Sequence, residues 1–430
     1  MGVAKKDGGA VQQCNDVRAV GFCTTLCFAH SGGGTTYVLM MFVYIYLTLD
    51  QPHYYYSFAT TTMKMIHNVR AIVDDYDAFV IDMYGVLHNG TEPYPHVIET
   101  VRQLRQAGKH LTVLSNSARR RTEAVAQLKR FGFGKNEDED KNDNMSENLL
   151  FDAVVTSGEV AAQKILPELL QQLPKQSSSS SSSSSFSPST TATTTTTQRP
   201  SVLVLGSGSS ADDATYVEDC GGAYTTQPQE ASLILARGPY SVVDPHTQQC
   251  LDLRYDPHAY TTMRDNILRA SAARKVPMLV TNPDKVNPTL PYLMPGKIGD
   301  MYQDMLEEAN SSSSSSSLVQ RCGKPFGAVY DYCLGTQDMT KNNNNHNQRQ
   351  RRVCMVGDAL ETDILGGNWA GIDTLWIVGD GIHRRDLDDK ALFTLDAVQS
   401  IVDQFHAKAV GTYAEGQTVR PTHVMEHFVW

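Results

Sequence analysis

The stretch AFVIDMYGVLHNG, residues 78 to 90, places an apolar run directly before Asp82 and a tyrosine two positions after it. Ala78 to Ile81 has the length and composition of a buried strand, so Asp82 falls at the carboxyl end of that strand. Apolar residues then recur at helical spacing from Val97 to Ala107, and Gly108 marks the end of the helix. The stretch therefore predicts a strand, a loop that begins with Asp82, and a helix.

The same strand-and-helix pattern recurs along the chain. Ser115 follows a second apolar run, and Asp358 follows a third run through a glycine. Strands that alternate with helices predict an α/β fold with a doubly wound parallel sheet, whose ligands bind beyond the carboxyl ends of the strands. The second and third runs predict strands at Leu111 to Leu114 and at Val353 to Val356, and one more strand is predicted at Thr374 to Val378.

The polar residues at these strand ends suggest a reaction at phosphorus. A strand-end aspartate such as Asp82 can form an aspartyl-phosphate that water then cleaves. Because the carboxylate and the phosphoryl group are both negative, a cation must lie between them. Mg²⁺ prefers oxygen ligands with few carboxylates, which Asp82 and Asp358 can supply, with Asp363 as a further ligand or a support.

Three more residues offer contacts to phosphate. Ser115 provides a hydroxyl, and Ser115 and Asn116 provide backbone N–H groups at the predicted start of a helix, where anions bind favourably. Lys324, in the tripeptide GKP, can neutralise remaining negative charge.

Composition limits the classes of partner. The 430 residues carry a formal net charge of −10 and a pI near 5.7, which gives no electrostatic basis for binding nucleic acid or an anionic membrane. The eight cysteines show no Cys-x-x-Cys spacing, so neither a zinc site nor a disulfide framework is expected.

The N-terminal region differs in composition from the rest of the chain. Residues 19–49 contain no Asp, Glu, Lys or Arg, and the apolar part is short for a bilayer span. We expect a cytoplasmic protein with no firm membrane association, with organelle targeting or a membrane anchor through residues 19–49 as the alternative.

Four motifs in chain order carry a family resemblance: DMYGVLHNG, VLSNS, GKP and GDALETDI. They resemble the motifs of the haloacid dehalogenase-like (HAD) hydrolase superfamily. Only 32 residues separate Asp82 from Ser115, too few for a cap domain, whereas more than 200 separate Ser115 from Lys324. That placement resembles the class IIA branch, which includes 4-nitrophenyl phosphate, pyridoxal and nucleotide phosphatases. The stretches VVTSGEVAA, TNPD and PTHVMEHFVW resemble a less characterised subgroup of the branch.

The resemblance implies a Rossmannoid core with an inserted α/β cap of the C2 type. Cap domains of the class IIA branch often pair with one another, so the resemblance also implies that a homodimer through the cap can form. We expect an N-terminal extension at residues 1–70, core segments at 74–156 and 282–430, a cap at 157–281, and low-complexity insertions at 176–199, 310–317 and 341–350. The implied site residues are Asp82, Tyr84 and Lys324 for catalysis, Ser115, Asn116 and Lys324 for phosphate binding, and Asp82, Tyr84 through its carbonyl, Asp358 and Asp363 for Mg²⁺.

Tyr84 departs from the family pattern. Phosphatases of the superfamily usually carry a second aspartate at this position, which protonates the leaving group and then activates water, a contribution of about 10² to 10⁴ in rate. A tyrosine can donate a proton but accepts one poorly at neutral pH.

Three hypotheses follow from this departure. The first is a phosphatase of a small phosphorylated metabolite that prefers good leaving groups, with His88 or the substrate assisting. The second is a protein that binds a phosphorylated ligand with little turnover. The third is a dehalogenase, because 2-haloacid dehalogenases also carry Asp-x-Tyr-Gly, although they need no metal.

A glycine-rich stretch, VLVLGSGSSA at residues 202–211, imitates a dinucleotide-binding loop after a strand. It falls within the expected cap, so we interpret it as a turn of the cap domain.

Overall fold

The computed structural model describes residues 63–134, 148–173, 199–286, 293–309, 318–336, 351–387 and 393–430. The predicted N-terminal extension up to residue 62, and the low-complexity insertions apart from Arg199, lie outside the described residues.

The strands form three sheets and are numbered here in chain order. They are β1 Lys64–Met65, β2 Ala78–Asp82, β3 His110–Ser115, β4 Ala153–Thr156, β5 Ser201–Leu205, β6 Ala223–Thr225, β7 Leu233–Ala236, β8 Ser241–Val243, β9 Cys250–Asp252, β10 Met278–Val280, β11 Val319–Arg321, β12 Val353–Gly357, β13 Asp373–Ile377 and β14 His423–Met425.

The helices are numbered in the same way. They are α1 Val97–Gln106, α2 Arg121–Arg130, α3 Ser157–Val160, α4 Leu166–Gln172, α5 Ser210–Asp219, α6 Pro257–Thr261, α7 Arg269–Ala273, α8 Pro295–Glu308, α9 Gly327–Thr336, α10 Leu365–Ala370 and α11 Leu395–Ala407. Wider π-helical turns at Ala161–Ile165, Thr262–Leu268 and Leu360–Ile364 join some of them, and 3₁₀ turns lie at Val69–Ala71 and Val73–Asp75.

The main sheet is parallel throughout, with the strand order β1-β14-β13-β12-β2-β3-β4. Every residue of β2 and β12 is buried, as expected for central strands with helices on both faces. Successive strands run outward in one direction from β2 to β4 and in the other from β12 to β14. The predicted α/β, doubly wound parallel sheet is confirmed.

Helix α1 shows why the local sequence folds as it does. Val97, Val101 and Leu104 recur at helical spacing and are fully buried. The helix ends at Gln106, and Gly108 follows with a φ of +72°, a backbone conformation that glycine adopts without strain. The strand ahead of this helix and the strand after it, β2 and β3, pair directly in the sheet.

A second parallel sheet, with the order β11-β10-β7-β5-β6, lies between Ser115 and Lys324 in the chain. Its core contains Ile298, Tyr302 and Leu306 from α8 as well as Val319 from β11. The residues of this sheet therefore run to Arg321, beyond the residue 281 at which the sequence predicted the end of the cap.

Hydrogen bonds join the end of β10 to the loop that follows β3. The Ser157 hydroxyl lies 2.6 Å from the Thr281 carbonyl oxygen and 2.9 Å from the Ser117 carbonyl oxygen, and its one proton is shared between these two acceptors. Residues 281 to 284, which follow β10, are thereby held beside the carboxyl edge of the main sheet.

Within the described part of the chain, no helix is both long and apolar enough to span a membrane. Residues 19–49, the predicted candidate for targeting or anchoring, lie outside that part.

Candidate active site

Three neighbouring strands end in polar residues at the same edge of the main sheet. Asp82 is the last residue of β2, Ser115 is the last residue of β3, and Asp358 directly follows β12. The strand order reverses between β12 and β2. Ligands of open α/β sheets bind at such a switch point, so the fold itself marks this edge as a binding site.

The carboxylates of Asp82, Asp358 and Asp363 converge at this edge. One oxygen of each lies within 4.8 Å of the others, and the three residues are 7%, 3% and 1% exposed. The Ile382 N–H donates to Asp358 Oδ2 at 2.8 Å, and the Ala359 N–H donates to Asp363 Oδ2 at 3.0 Å. So much buried negative charge is unfavourable unless a cation or bound protons neutralise it.

Two glycines allow the backbone to close around Asp358. A Cβ atom at Gly85 would lie 2.2 Å from Asp358 Oδ2, and one at Gly381 would lie 2.1 Å from the same atom. Gly85 also has a φ of +91°, which side-chain-bearing residues rarely adopt. The chain therefore fixes the Asp358 carboxylate from two sides, and neither position tolerates a side chain without moving it.

Lys324 lies against these carboxylates and is 2% exposed. Its Nζ forms an ion pair with Asp82 Oδ1, lies 2.7 Å from Asp363 Oδ1 and donates to the Leu114 carbonyl at 3.3 Å. Burial lowers the pKa of Lys324, but Asp363 and Asp82 raise it by more, so its pKa lies above the ordinary value and the ammonium stays charged. One ammonium faces three carboxylates, which leaves negative charge in excess.

This excess of negative charge contributes to raised pKa values of the aspartates. Burial raises the pKa of Asp82 to about 7; Lys324 opposes this rise and Asp363 adds to it. Burial, with the charges of Asp82 and Asp363, also holds the pKa of Asp358 well above its usual range. Without a bound cation the set therefore retains protons near neutral pH. Three carboxylates are hard oxygen donors of the kind that Mg²⁺ and Ca²⁺ prefer, so the residues present fit a divalent cation.

Asn116 holds the backbone of Lys324 in place. Its Oδ1 accepts the Lys324 N–H at 2.7 Å, and its Nδ2 donates to the Lys324 carbonyl at 3.1 Å and to Asp284 Oδ1 at 2.8 Å. The Asn116 side chain is thus committed to positioning Lys324, which leaves its backbone for the predicted phosphate contact. Ser115, also predicted to bind phosphate, is half-buried, and its Oγ accepts the Ser117 N–H at 3.3 Å.

Two family models match this chain. One, described as haloacid dehalogenase-like hydrolase, matches residues 79–221, and the other, described as HAD-hydrolase-like, matches residues 321–405. Together they span just over half of the chain and include Asp82, Ser115, Lys324 and Asp358. This chain belongs to the haloacid dehalogenase-like hydrolases. The predicted superfamily and the prediction of a hydrolytic enzyme are confirmed, and the less characterised subgroup stays a prediction.

Solved structures agree with this hydrolase fold. A haloacid dehalogenase-like hydrolase from Brucella suis is 20% identical with a TM-score of 0.51, and the match covers 85% of this chain and 100% of that one. A protein from Cytophaga hutchinsonii, described as a possible sugar phosphatase, is 17% identical with a TM-score of 0.52, covering 85% and 98% of the two chains. At such identities the likeness shows the fold alone. Among curated proteins, no sequence matches significantly.

Tyr84 occupies the position that distinguishes this hydrolase. It is half-buried, and its ring meets the ring of His88 edge-on, with the centroids 6.1 Å apart. A Cβ atom at Gly90 would lie 3.3 Å from Tyr84 Cε2. Since the next residue, Gly85, touches Asp358, the Tyr84 main chain lies beside the carboxylates. The predicted role of its carbonyl as a metal ligand stays a prediction.

His88 is poorly suited to supply the missing base. Its Nδ1 accepts the Gly90 N–H at 2.9 Å, and its ring packs on Phe131 with the centroids 4.8 Å apart. Burial, together with the charge of Arg130, lowers the pKa of His88 to about 4. The imidazole is therefore neutral at pH 7, and its acceptor nitrogen is already engaged.

Sequence reasoning gave no role to two residues that support the site. Asp284 accepts a hydrogen bond from Asn116, and burial raises the pKa of Asp284 to about 6. The Tyr413 hydroxyl donates to the Pro283 carbonyl at 2.7 Å, and its N–H donates to Glu361 Oε1 at 2.9 Å. The stretch TNPD pointed to Asp284 through resemblance alone, and no local pattern pointed to Tyr413.

The glycine-rich loop of residues 202–211 is a structural turn. Asp213, in the first turn of α5, accepts the Ser207 N–H at 3.1 Å. A Cβ atom at Gly206 would lie 2.2 Å from Asp213 Oδ2, which accounts for that glycine. The Asp213 carboxylate thereby accepts the hydrogen bond that the loop offers, and the assignment of the loop to a cap domain stays a prediction.

Proposed function

We propose that this hydrolase is a Mg²⁺-dependent phosphatase that acts on a small phosphorylated metabolite through an aspartyl-phosphate on Asp82. The observation that carries the proposal is the imbalance of charge at the switch point of the sheet. There, three buried carboxylates face a single ammonium, and one of the three, that of Asp82, lies at the end of β2. Mg²⁺ held by these carboxylates would neutralise the charge that a phosphoryl group brings to them.

Three residues of the chain act in the proposed reaction: Asp82, Lys324 and Ser115. Asp82 Oδ attacks phosphorus, the bond from phosphorus to the leaving oxygen breaks, and an acyl phosphate forms on Asp82. Water then attacks phosphorus, the bond to Asp82 breaks, and inorganic phosphate leaves with the carboxylate restored. Lys324, which stays protonated, donates hydrogen bonds to the phosphoryl oxygens, and Ser115 offers its hydroxyl to them.

Tyr84 shapes the choice of substrate in this proposal. A phenol can give a proton to the departing oxygen but is a poor acceptor of the proton from the attacking water. Esters whose leaving groups need little protonation, such as aryl and acyl phosphates, are therefore expected to react fastest.

A second candidate is a protein that binds a phosphorylated ligand with little turnover, and Tyr84 in place of the usual acid/base is the observation that favours it. A dehalogenase is less consistent with the site, because three carboxylates would repel a departing halide and that chemistry uses no metal. Its cap would also lie between β2 and β3, where the described structure has only α1.

The test is a series of phosphate monoesters that differ in leaving-group pKa, assayed with the full-length protein and Mg²⁺. The proposal predicts that kcat/KM falls steeply as the leaving-group pKa rises, and that Asp82→Asn is inactive throughout. Equal rates on aryl and alkyl esters would contradict the role given to Tyr84. Saturable binding of the esters without turnover of any of them would favour the binding protein.

A further inference from the structure

A polar cavity lies at the edge of the main sheet opposite to the carboxylate cluster. It measures about 480 Å³ and is formed where β2, β3, β4 and β12 begin. Its charged and ionisable lining consists of Arg105, Lys109, His110, Arg351, Asp77 and Asp152. A strand rises about 3.3 Å per residue, so the five residues of β2 separate this cavity from Asp82 by roughly 15 Å.

The two acids of the cavity are already engaged. Asp152 Oδ1 accepts from Arg105 Nη1 at 3.1 Å, and Asp152 Oδ2 accepts the Leu111 N–H at 2.7 Å. Asp77 Oδ2 accepts the Arg352 N–H at 2.9 Å. These bonds fix both carboxylates in the wall of the cavity.

Two of the cations, by contrast, have no counterion in the part of the chain that the structure describes. Among the described residues, no carboxylate lies within ion-pair distance of Lys109 or Arg351. Arg105 contributes a third positive charge, which Asp152 offsets. The lining therefore carries more positive than negative charge, in a protein whose overall charge is −10.

His110 adds an imidazole ring to the same wall. Its Nδ1 lies 3.5 Å from Asp152 Oδ2, while its Nε2 is shielded from solvent and has no hydrogen-bond partner among the described residues. Burial lowers the pKa of His110; the charge of Asp152 opposes this effect, and the charges of Arg351 and Arg105 add to it. The ring is thus neutral at pH 7 and forms part of the cavity wall.

We propose that this cavity binds a small polyanion, a molecule that carries two or more phosphate or carboxylate groups. Its volume falls in the range of small-molecule sites, roughly 300 to 1,000 Å³. Lys109 and Arg351 supply positive charge that no carboxylate of the described residues pairs with, and the His110 ring forms part of the same wall. The site is distinct from the carboxylate cluster, which repels anions unless a cation is bound.

Calorimetric titration with inorganic pyrophosphate tests the proposal, using the full-length protein with EDTA at constant ionic strength. Wild type is expected to show saturable binding, and Lys109→Gln and Arg351→Gln are each expected to weaken it about tenfold, the effect of one lost charge-assisted hydrogen bond. Lys408→Gln removes the same charge from an exposed position at the end of α11 and serves as the control, with wild-type affinity expected. Absent binding, or equal affinity in all four proteins, overturns the proposal.

A spectroscopic readout locates the ligand independently. In ¹⁵N-histidine-labelled protein, pyrophosphate should shift the ring resonances of His110, assigned by their loss in His110→Gln. Saturable binding that leaves the His110 resonances in place also overturns the proposal, because the anion would then bind elsewhere.

Discussion

Two buried clusters of cation and carboxylate, one in each sheet, follow the same local pattern of strand, glycine-containing loop and helix. In the main sheet, Lys324 contacts Asp82 and Asp363, with Asp358 close by. In the second sheet, Arg237, 3% exposed, pairs with Asp213 at 2.7 Å and with Asp212 at 3.0 Å.

The clusters differ in their balance of charge. The Arg237 guanidinium lies 3.9 Å over the Tyr216 ring, its buried partner Asp213 also accepts the Ser207 N–H, and Asp212 is half exposed to water. Buried charges there match one to one. Around Lys324 two carboxylates are in excess, and the aspartate pKa values rise accordingly. A balanced cluster stabilises the fold, whereas an unbalanced one creates a place for a cation and a reaction.

The largest expected difference between the two clusters is the effect on kcat of replacing one aspartate by asparagine. Asp82→Asn should lower kcat by about 10⁴-fold or more, because it removes the nucleophile. Asp213→Asn should leave kcat within about threefold but lower the free energy of unfolding by about 3 kcal/mol, since it leaves Arg237 buried with a weakened partner. Steady-state kinetics and denaturant unfolding of both variants measure the two effects. A comparable loss of kcat in both would contradict the division of roles.

The next largest effect on kcat is expected from replacing one of two glycines that share the same backbone conformation. Gly85→Ala should lower kcat by about 10²-fold, because the new Cβ atom would displace the Asp358 carboxylate. Gly221 has a φ of +89°, close to the +91° of Gly85, and open space around it. Gly221→Ala therefore carries the same backbone strain without the clash, and its kcat should equal that of wild type. If both variants lose activity equally, strain rather than contact with Asp358 is the cause.

A gain of activity is expected at Tyr84. Tyr84→Asp would provide a group able to donate and then accept a proton, and should raise kcat on alkyl phosphates by about 10- to 100-fold. Hydrolysis of aryl phosphates should change far less, because their leaving groups need little protonation. An equal change on both kinds of ester would show that Tyr84 does not act on the leaving group.

The excess of carboxylates also predicts how stability depends on pH. In metal-free protein, folding raises the pKa of Asp82 from 3.8 to about 7, so the folded state binds more protons than the unfolded chain between these values. Stability should therefore fall as pH rises through this window, by at most about 1.4 kcal/mol per pH unit for this group. Denaturant unfolding across the window measures the slope, and saturating Mg²⁺ should flatten it. Stability that rises with pH in the absence of metal would contradict the assignment.

The smallest effect is expected at Tyr413. Tyr413→Phe removes the hydroxyl that holds the Pro283 carbonyl and should lower kcat by about three- to tenfold, with KM unchanged, because Lys324 is positioned less firmly through Asp284 and Asn116. Tyr255, 70% exposed, provides the matched control. A change in KM alone would place Tyr413 in substrate binding instead.

The sequence predicted those parts of the site that depend on local pattern. Asp82, Ser115 and Asp358 could be placed because each follows a short apolar strand, and parallel strands bring such ends to one edge. The hydrogen bonds between Asn116 and Lys324 join residues that lie 208 positions apart in the chain. The hydrogen bond from Tyr413 to Pro283 joins residues that lie 130 positions apart. No periodicity encodes such contacts, because they depend on how the two sheets pack.

Calorimetric titration of the metal-free protein with Mg²⁺, in wild type and in Asp358→Asn, addresses the central claim directly. If the excess of buried carboxylate creates the site, wild type binds the ion saturably with release of protons, and Asp358→Asn loses most of that affinity. Equal binding by both proteins, or no binding by either, would contradict the account.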